Sequence, residues 1–325
     1  MYRGRFAPTP SGRLHLGNLY AALMAWLHAR SAGGAFALRM EDIDKPRCKP
    51  DLAELVLKDL RWFGLDWDEG PDVGGPYAPY TQSERADRYE AALDALLAHG
   101  RLYPCFCSRA ELFSVASAPH GLSSEGPAYG GSCRFLPPEE RSRRAETKTP
   151  SLRFAVPPDA PVAFEDAVYG RVDFPPGAGG DFVVRRADGI IGYQLAVVVD
   201  DAAMNVTHAL RGADLLDSTP RQLWLYEALG LTPPAFAHVP LLCDERGERL
   251  SKRQKSLAAA ALREAGVPAE TLVGLVAWSA RLIDRPEPIR PAELVAGFDL
   301  DKLPRDPIRF PLDALKKYNV TSTSG

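Results

Sequence analysis

The chain is poor in cysteine, with five thiols in 325 residues, and that scarcity excludes a secreted framework stapled by disulfides. It has no surplus of positive charge either. Lys and Arg number 39 against 42 Asp and Glu, a net charge of −3, so any hold on nucleic acid must come from a local basic face. Long apolar runs are missing too: the early stretch over residues 19–27 is too short to cross a bilayer and ends at His28 and Arg30. No small-residue cleavage pattern follows it before Arg39-Met40-Glu41-Asp42, so it does not read as a secretion signal. A cytoplasmic protein with no membrane partner is expected. The remaining composition, 46% hydrophobic and 25% charged, is that of a globular chain with room for about two compact units.

Phe6-Ala7-Pro8-Thr9-Pro10-Ser11-Gly12 closes a short strand and opens a loop, after which Leu16, Leu19, Leu23 and Leu27 recur at helical spacing. Residues 35–40 are apolar and end at Glu41-Asp42-Ile43-Asp44, which suits a buried strand. The opening therefore reads as a β–α–β unit of a parallel sheet, with ligands expected at the carboxyl ends of its strands. Helical patterning marks residues 51–63, 82–99 and 256–279, whereas apolar alternation marks 182–184 and 190–199. Between Cys105 and about Pro176 the clusters of Pro, Gly, Ser and charge predict an inserted, loop-rich subdomain. The terminal Thr-Ser-Thr-Ser-Gly is expected to fray.

Three constellations can carry chemistry. In Pro10-Ser11-Gly12-Arg13-Leu14-His15-Leu16-Gly17-Asn18, His15 and Gly17 fall on the first turn of a helix that follows a strand. Backbone N–H groups and the helix dipole favour a phosphate there, Gly permits close approach, and imidazole can donate to a phosphoryl oxygen. Alone, the segment is equally a helix start whose His caps or packs. Arg249-Leu250-Ser251-Lys252-Arg253 is a basic run that by itself reads as solvated surface. Cys105-Phe106-Cys107, followed by Tyr129 and Cys133, offers three thiolates and a phenol, a tetrahedral set for structural zinc, with free buried cysteines as the other reading. Cys48 and Cys243 lie apart and read as ordinary thiols.

Taken together, the two basic segments resemble the paired signatures of class I aminoacyl-tRNA synthetases: His15-Leu16-Gly17-Asn18 the "HIGH" motif, and residues 249–253 the "KMSKS" motif. Arg5-Phe6-Ala7-Pro8-Thr9-Pro10-Ser11-Gly12, Leu38-Arg39-Met40-Glu41-Asp42-Ile43-Asp44 and Tyr80-Thr81-Gln82-Ser83-Glu84-Arg85 match the glutamyl group in order. So do Gly192-Tyr193-Gln194-Leu195-Ala196 through Asp200-Asp201, Leu210-Arg211-Gly212-Ala213-Asp214 and Ser218-Thr219-Pro220. Only residues 254–325 follow the KMSKS-like loop, where a discriminating glutamyl-tRNA synthetase continues into a full anticodon-binding region. In that respect the chain is similar to the glutamyl-Q tRNA(Asp) synthetases.

The resemblance implies an α/β fold: a Rossmann-like class I catalytic domain with an inserted zinc-containing subdomain and a small helical C-terminal region. Residues 1–100 and 181–255 would form the two parts of the catalytic domain, 101–180 the acceptor-type insert with a zinc knuckle, and 256–325 the C-terminal region. It implies an enzyme that activates L-glutamate with ATP and Mg2+ without tRNA, then transfers it to the queuosine of the tRNA-Asp anticodon. His15 and Lys252 would be catalytic, and His15, Gly17, Asn18, Ser251 and Lys252 would bind ATP. Glutamate would meet Arg5, Phe6, Ala7, Pro8, Thr9, Glu41, Tyr193 and Arg211, with Glu41 for the ammonium and Arg211 for the side-chain carboxylate. Cys105, Cys107, Tyr129 and Cys133 would hold one structural zinc ion.

Departures from the family pattern are Asn18 in place of the second motif His, Arg249 and Arg253 at the outer positions of the basic motif, and Val197 where some glutamyl enzymes carry a polar residue. The rival readings are a truncated glutamyl-tRNA synthetase charging a tRNA 3′ end and a non-catalytic paralogue that binds tRNA or adenylate. Joint presence of His15, Glu41, Arg211 and Lys252 speaks against the second. A monomer is expected, with Arg141 to Arg144 and Arg185-Arg186 as candidate tRNA contacts.

Overall fold

A computed structural model describes residues 1–108, 129–250, 255–318 and 320. Strands β1 (Arg3–Phe6) and β2 (Ala35–Leu38) run parallel, with Arg3 opposite Ala35 and Phe6 opposite Leu38, and helix α1 (Leu16–Ser31) makes the crossover. The expected β–α–β opening is therefore present. Helix α1 is wrapped by protein on nearly every side: Leu16, Leu19, Leu23 and Leu27 are fully buried, and Ala22, Met24 and Ala29 close the opposite flank. A helix that is apolar all round belongs in a core, and α1 is the centre of the larger of the two main cores.

Helices α2 (Pro50–Trp62) and α3 (Ala86–Ala98) match their sequence patterns, although a separate 3-10 turn, Gln82–Glu84, precedes α3. Then come β3 (Leu102–Cys105), α4 (Pro138–Ala145), β4 (Ser151–Phe154), the hairpin β5 (Val162–Asp166) and β6 (Gly170–Phe174), and β7 (Phe182–Arg185). Strands β3, β4 and β7 form an antiparallel sheet of their own.

Helix α5 (Tyr193–Ala203), strand β8 (His208–Gly212), helix α6 (Thr219–Ala228) and strand β9 (Ala235–Val239) follow. In this sheet β8 and β9 are parallel, and β5 joins β9 in parallel through Asp166 opposite Phe236. Thr207 N–H donates to the Arg3 carbonyl at 3.0 Å, which sets β8 beside β1. The carboxyl ends of β1, β2 and β8 thus converge on one edge, where an α/β sheet places its ligands.

One sequence expectation is corrected here. Residues 190–199 alternate in sequence, yet from Tyr193 onward they are helical, because Leu195, Ala196, Val197, Val198 and Val199 are all buried and tertiary packing overrides β-branched propensity.

The C-terminal part contains β10 (Leu242–Cys243), helices α7 (Ala259–Glu264), α8 (Ala269–Ser279) and α9 (Pro291–Leu294), and β11 (Ile308–Arg309). The single helical pattern expected over 256–279 is split at Gly266, whose φ of +77° takes the chain out of α7. The C-terminal part is anchored at both ends. Ala259 N–H donates to the Leu14 carbonyl at 2.8 Å, β11 pairs with β10, and Arg263 reaches the buried Asp59 at 2.5 Å. Among the described residues no helix is long and apolar enough to cross a membrane.

Candidate active site

A cavity of about 300 Å³ opens where β1, β2 and β8 end and α1 and α5 begin. Its wall contains Arg5, Phe6, Ala7, Pro8, Thr9, His15, Gly17, Asn18, Glu41, Tyr193 and Arg211, so every expected ATP- and glutamate-contacting residue among the described ones meets at one place. Ser251 and Lys252 lie outside the described residues. Their neighbours Arg249 and Leu250 line the same cavity as His15 and Asn18. Val197 is buried and is not part of the wall.

Buried charge builds the floor. Asp200 and Asp201 sit near the C-terminal end of α5, where the helix dipole disfavours carboxylates, and buried arginines compensate. Arg5 forks onto Asp201 through Nε at 3.2 Å and Nη2 at 3.1 Å, while Arg39 reaches the same carboxylate at 2.6 Å. Arg85 holds Asp200 at 2.6 Å, and Gln82 and Tyr89 fill its other oxygen at 2.7 and 2.9 Å. Burial pushes the Asp201 carboxyl up, but Arg5 and Arg39 outweigh it and leave the group below its ordinary value. Arg39 also donates to Glu41 Oε1 at 3.1 Å, fixing that carboxylate in the cavity wall. Burial raises the Glu41 pKa, with Arg39 as the main opposing influence. Tyr193, the first residue of α5, opens onto the cavity and is protonated at neutral pH like any phenol; desolvation within the site, with Glu41 nearby, raises its pKa further to about 12. Glu41 can therefore accept an ammonium, and Tyr193 can donate a hydrogen bond.

Arg211 is held differently. It is 5% exposed and donates Nε–H to His238 Nε2 at 2.9 Å, Nη1 to Gln222 Oε1 at 2.7 Å and Nη2 to Thr219 Oγ1 at 2.9 Å. All three acceptors are neutral. His238 in turn faces Asp166, Nδ1 to Oδ2 at 2.6 Å, and Asp166 also accepts backbone N–H groups of Val168, Tyr169 and His238. Burial lowers the His238 pKa to about 4 despite Asp166. The neutral ring carries its proton on Nδ1 toward Asp166 and offers the Nε2 lone pair to Arg211. Burial likewise pulls the Arg211 guanidinium down from its ordinary value. Among the described residues no carboxylate hydrogen-bonds Arg211.

At the other end of the cavity His15 is the N-cap of α1: its Nδ1 accepts the Gly17 N–H at 3.1 Å, and its own N–H donates to Asn18 Oδ1 at 3.1 Å. The two readings of the sequence are thus compatible, since capping through Nδ1 orients a ring that still lines the cavity. A Cβ on Gly17 would stand 3.0 Å from His15 Cε1 and 3.1 Å from Nδ1, so any larger residue here must shift the ring by a few tenths of an ångström.

In the 101–180 segment the thiols of Cys105, Cys107 and Cys133 lie within 4.8 Å of one another, an arrangement that could hold a metal ion. Cys107 and Cys133 Sγ are 3.6 Å apart and Cys105 Sγ is 3.6 Å from the Tyr129 hydroxyl. A tetrahedral zinc with thiolates at about 2.3 Å separates its ligand atoms by roughly 3.5–3.8 Å, so the donor set fits. Tyr129 also accepts the Cys133 N–H at 2.7 Å, and Arg153 stacks over its ring at 3.9 Å.

In the two arginine-rich stretches Arg143 and Arg144 share Glu140, Arg141 donates to the Arg134 carbonyl, Arg185 pairs with Glu90, and Arg186 with Asp44 and Asp188. Sequence reasoning assigned no role to Asp166, His238, Gln222 or Asp201. Asp201 and Thr219 lay in quoted stretches, but His238 on an apolar strand and Gln222 inside a helix carried no local signal.

The model of the tRNA synthetases class I (E and Q) catalytic domain matches residues 1–301. The chain belongs to that family of class I synthetases. Within it the chain groups with the glutamyl-Q tRNA(Asp) synthetases, which are ligases. It is 63% identical over 316 residues to that of Symbiobacterium thermophilum, covering 97% of this chain and 98% of the relative. The identity is 51% with that of Nitratidesulfovibrio vulgaris, over 98% of each chain. A crystal structure of glutamate-tRNA synthetase from Elizabethkingia anophelis superposes with a TM-score of 0.84 at 32% identity, over 98% of this chain and 70% of the other.

Proposed function

We propose that the protein activates L-glutamate with ATP in the absence of tRNA and passes it to the queuosine of the tRNA-Asp anticodon. The acceptor rests on the names of its relatives at 63% and 51% identity. The amino acid rests on one geometric observation: a buried guanidinium with only neutral partners, Arg211, shares a cavity with a buried carboxylate, Glu41. Glutamate answers both, its side-chain carboxylate toward Arg211 and its ammonium toward Glu41, with Tyr193 donating to the substrate. Arg5 is committed to Asp201, so its part is to support the floor beneath residues 6–9 and to add positive potential there.

The α-carboxylate attacks the α-phosphorus of ATP, pyrophosphate leaves, and catalysis consists of positioning and charge stabilisation. His15 donates to phosphoryl oxygen at the N-terminus of α1, with Gly17 and Asn18 beside it. Ser251 and Lys252 follow Leu250 in sequence; the serine binds the nucleotide and the lysine neutralises the departing pyrophosphate. Mg2+ arrives with the nucleotide, and its chemistry is charge neutralisation on the phosphates. In the segment 101–180, read as an acceptor-type insert, Cys105, Cys107, Cys133 and Tyr129 hold one structural zinc. We read residues 1–100 and 181–255 as the catalytic domain and 256–325 as its C-terminal support, in a cytoplasmic monomer.

The test is glutamate-dependent ATP–pyrophosphate exchange without tRNA. Wild-type protein should exchange with glutamate and not with aspartate or glutamine, and Lys252→Ala should lose most of that exchange while keeping its circular dichroism. Absence of exchange in folded wild-type protein would remove the proposal.

A further inference from the structure

We infer that Gln222, Thr219 and His238 are positioning residues that orient Arg211 without neutralising it, and that this neutral cradle sets the preference for an anionic over a neutral substrate side chain. The inference rests on the reading of glutamate as the amino acid.

A guanidinium has five N–H donors. Three of those of Arg211 are spent on His238 Nε2, Gln222 Oε1 and Thr219 Oγ1, at 2.7 to 2.9 Å, which fixes the plane of the group and leaves two for a ligand. The contrast with the rest of the floor is sharp, because Arg5, Arg39 and Arg85 all spend their charge on carboxylates of α5. Had Arg211 been oriented in the same way, an arriving carboxylate would meet a neutral ion pair. Here the nearest anion in the hydrogen-bonded chain, Asp166, stands one imidazole away, held at 2.6 Å from His238 Nδ1. Asp166 orients the ring and fixes its tautomer, and the ring orients Arg211, yet the positive charge remains for the substrate. Gln222 is itself held by its side-chain amide, which donates to Gln194 Oε1 at 2.8 Å, so its carbonyl oxygen is the atom that must face Arg211. That geometry suits a carboxylate, whose desolvation a neutralised arginine could not offset. A carboxamide such as that of glutamine gains little from the uncompensated charge.

The direct test is to neutralise Arg211 in place. Gln222→Glu puts a carboxylate at an almost unchanged position, and Thr219→Asp does so from the first turn of α6. Gln222→Met and Thr219→Val remove the same hydrogen bonds without adding charge. Measured by ATP–pyrophosphate exchange, both acidic variants should raise KM for glutamate about tenfold or more, keep kcat within about threefold, and narrow the glutamate-over-glutamine ratio of kcat/KM by the same factor. The apolar variants should raise KM less than about threefold. Equal losses in acidic and apolar variants would show that the cradle acts only as packing and would overturn the inference, as would an unchanged KM in a folded acidic variant. Should one acidic variant fail to fold, the other carries the test from a different element. Absence of glutamate-dependent exchange in wild type would instead remove the underlying functional reading, and this inference with it.

Discussion

Arg211 and Arg5 are both buried arginines in the wall of one cavity, and their partners give them different work. Arg5 shares Asp201 with Arg39, at 3.1 and 2.6 Å, so its guanidinium is already engaged by a buried carboxylate. Arg211 has only neutral acceptors and therefore a charge to offer. Replacing Arg211 by Lys keeps the charge and loses the fork, and we expect KM for glutamate to rise about 100-fold, a loss of the size found when a buried charge-assisted pair is broken. Exchange kinetics as a function of glutamate concentration measure it; a change confined to kcat would contradict the assignment. At this scale the sequence was informative where motif matches pointed: Arg5, Glu41, Tyr193 and Arg211 do meet. It was silent on His238 and Gln222, because a side chain that acts through another residue is recognisable only once the fold brings the two together.

Among the elements, α1 and the cysteine segment decide most. The N-terminus of α1 holds His15 by an N-cap that uses its Nδ1, and Gly17 lies close enough that an added methyl would stand 3.0 Å from the ring. Gly17→Ala should therefore lower kcat for exchange about tenfold or more while unfolding at nearly the same urea concentration, since alanine is the better helix former and only the ring is displaced. An unaltered kcat would place the ring outside the reaction. In the cysteine segment, metal analysis of purified protein should find about one zinc per chain, and Cys105→Ser should lose it together with thermal stability of the β3–β4–β7 sheet. Retained zinc in that variant would remove Cys105 from the site. Helix α1 was legible from its leucine spacing, as were α2 and α3. Helix α5 was not, because a run such as Leu195-Ala196-Val197-Val198-Val199, buried on every side, has no polar face from which a period can be read.

For the molecule as a whole, buried histidines and carboxylates set the response to acid. His238 and His28 both have pKa values lowered to about 4 by burial, from an ordinary 6.5. Between those values the unfolded chain binds more protons than the folded one, so their contribution to stability is complete above about pH 6.5 and is lost as pH falls toward 4. Asp201 and Asp166 are held below the ordinary carboxylate value of 3.8 and add a further loss only as pH drops below it. Urea midpoints should accordingly fall from pH 6.5 to 4 and fall further below 4, and His238→Gln should flatten the upper part of that curve. A midpoint independent of pH over this interval would contradict neutral buried histidines. In the folded protein His238 protonates only near pH 4, which removes the acceptor of Arg211, so KM for glutamate should stay level below pH 6.5 and rise only as pH approaches 4.

The whole-molecule reading turns on where the amino acid goes. The most direct measurement is transfer of labelled glutamate, after activation without tRNA, to tRNA-Asp with and without queuosine, followed by nuclease mapping of the labelled nucleotide. The account predicts label on the anticodon queuosine alone and none on queuosine-free tRNA. Label on the 3′-terminal adenosine, or equal labelling of both tRNAs, would contradict it.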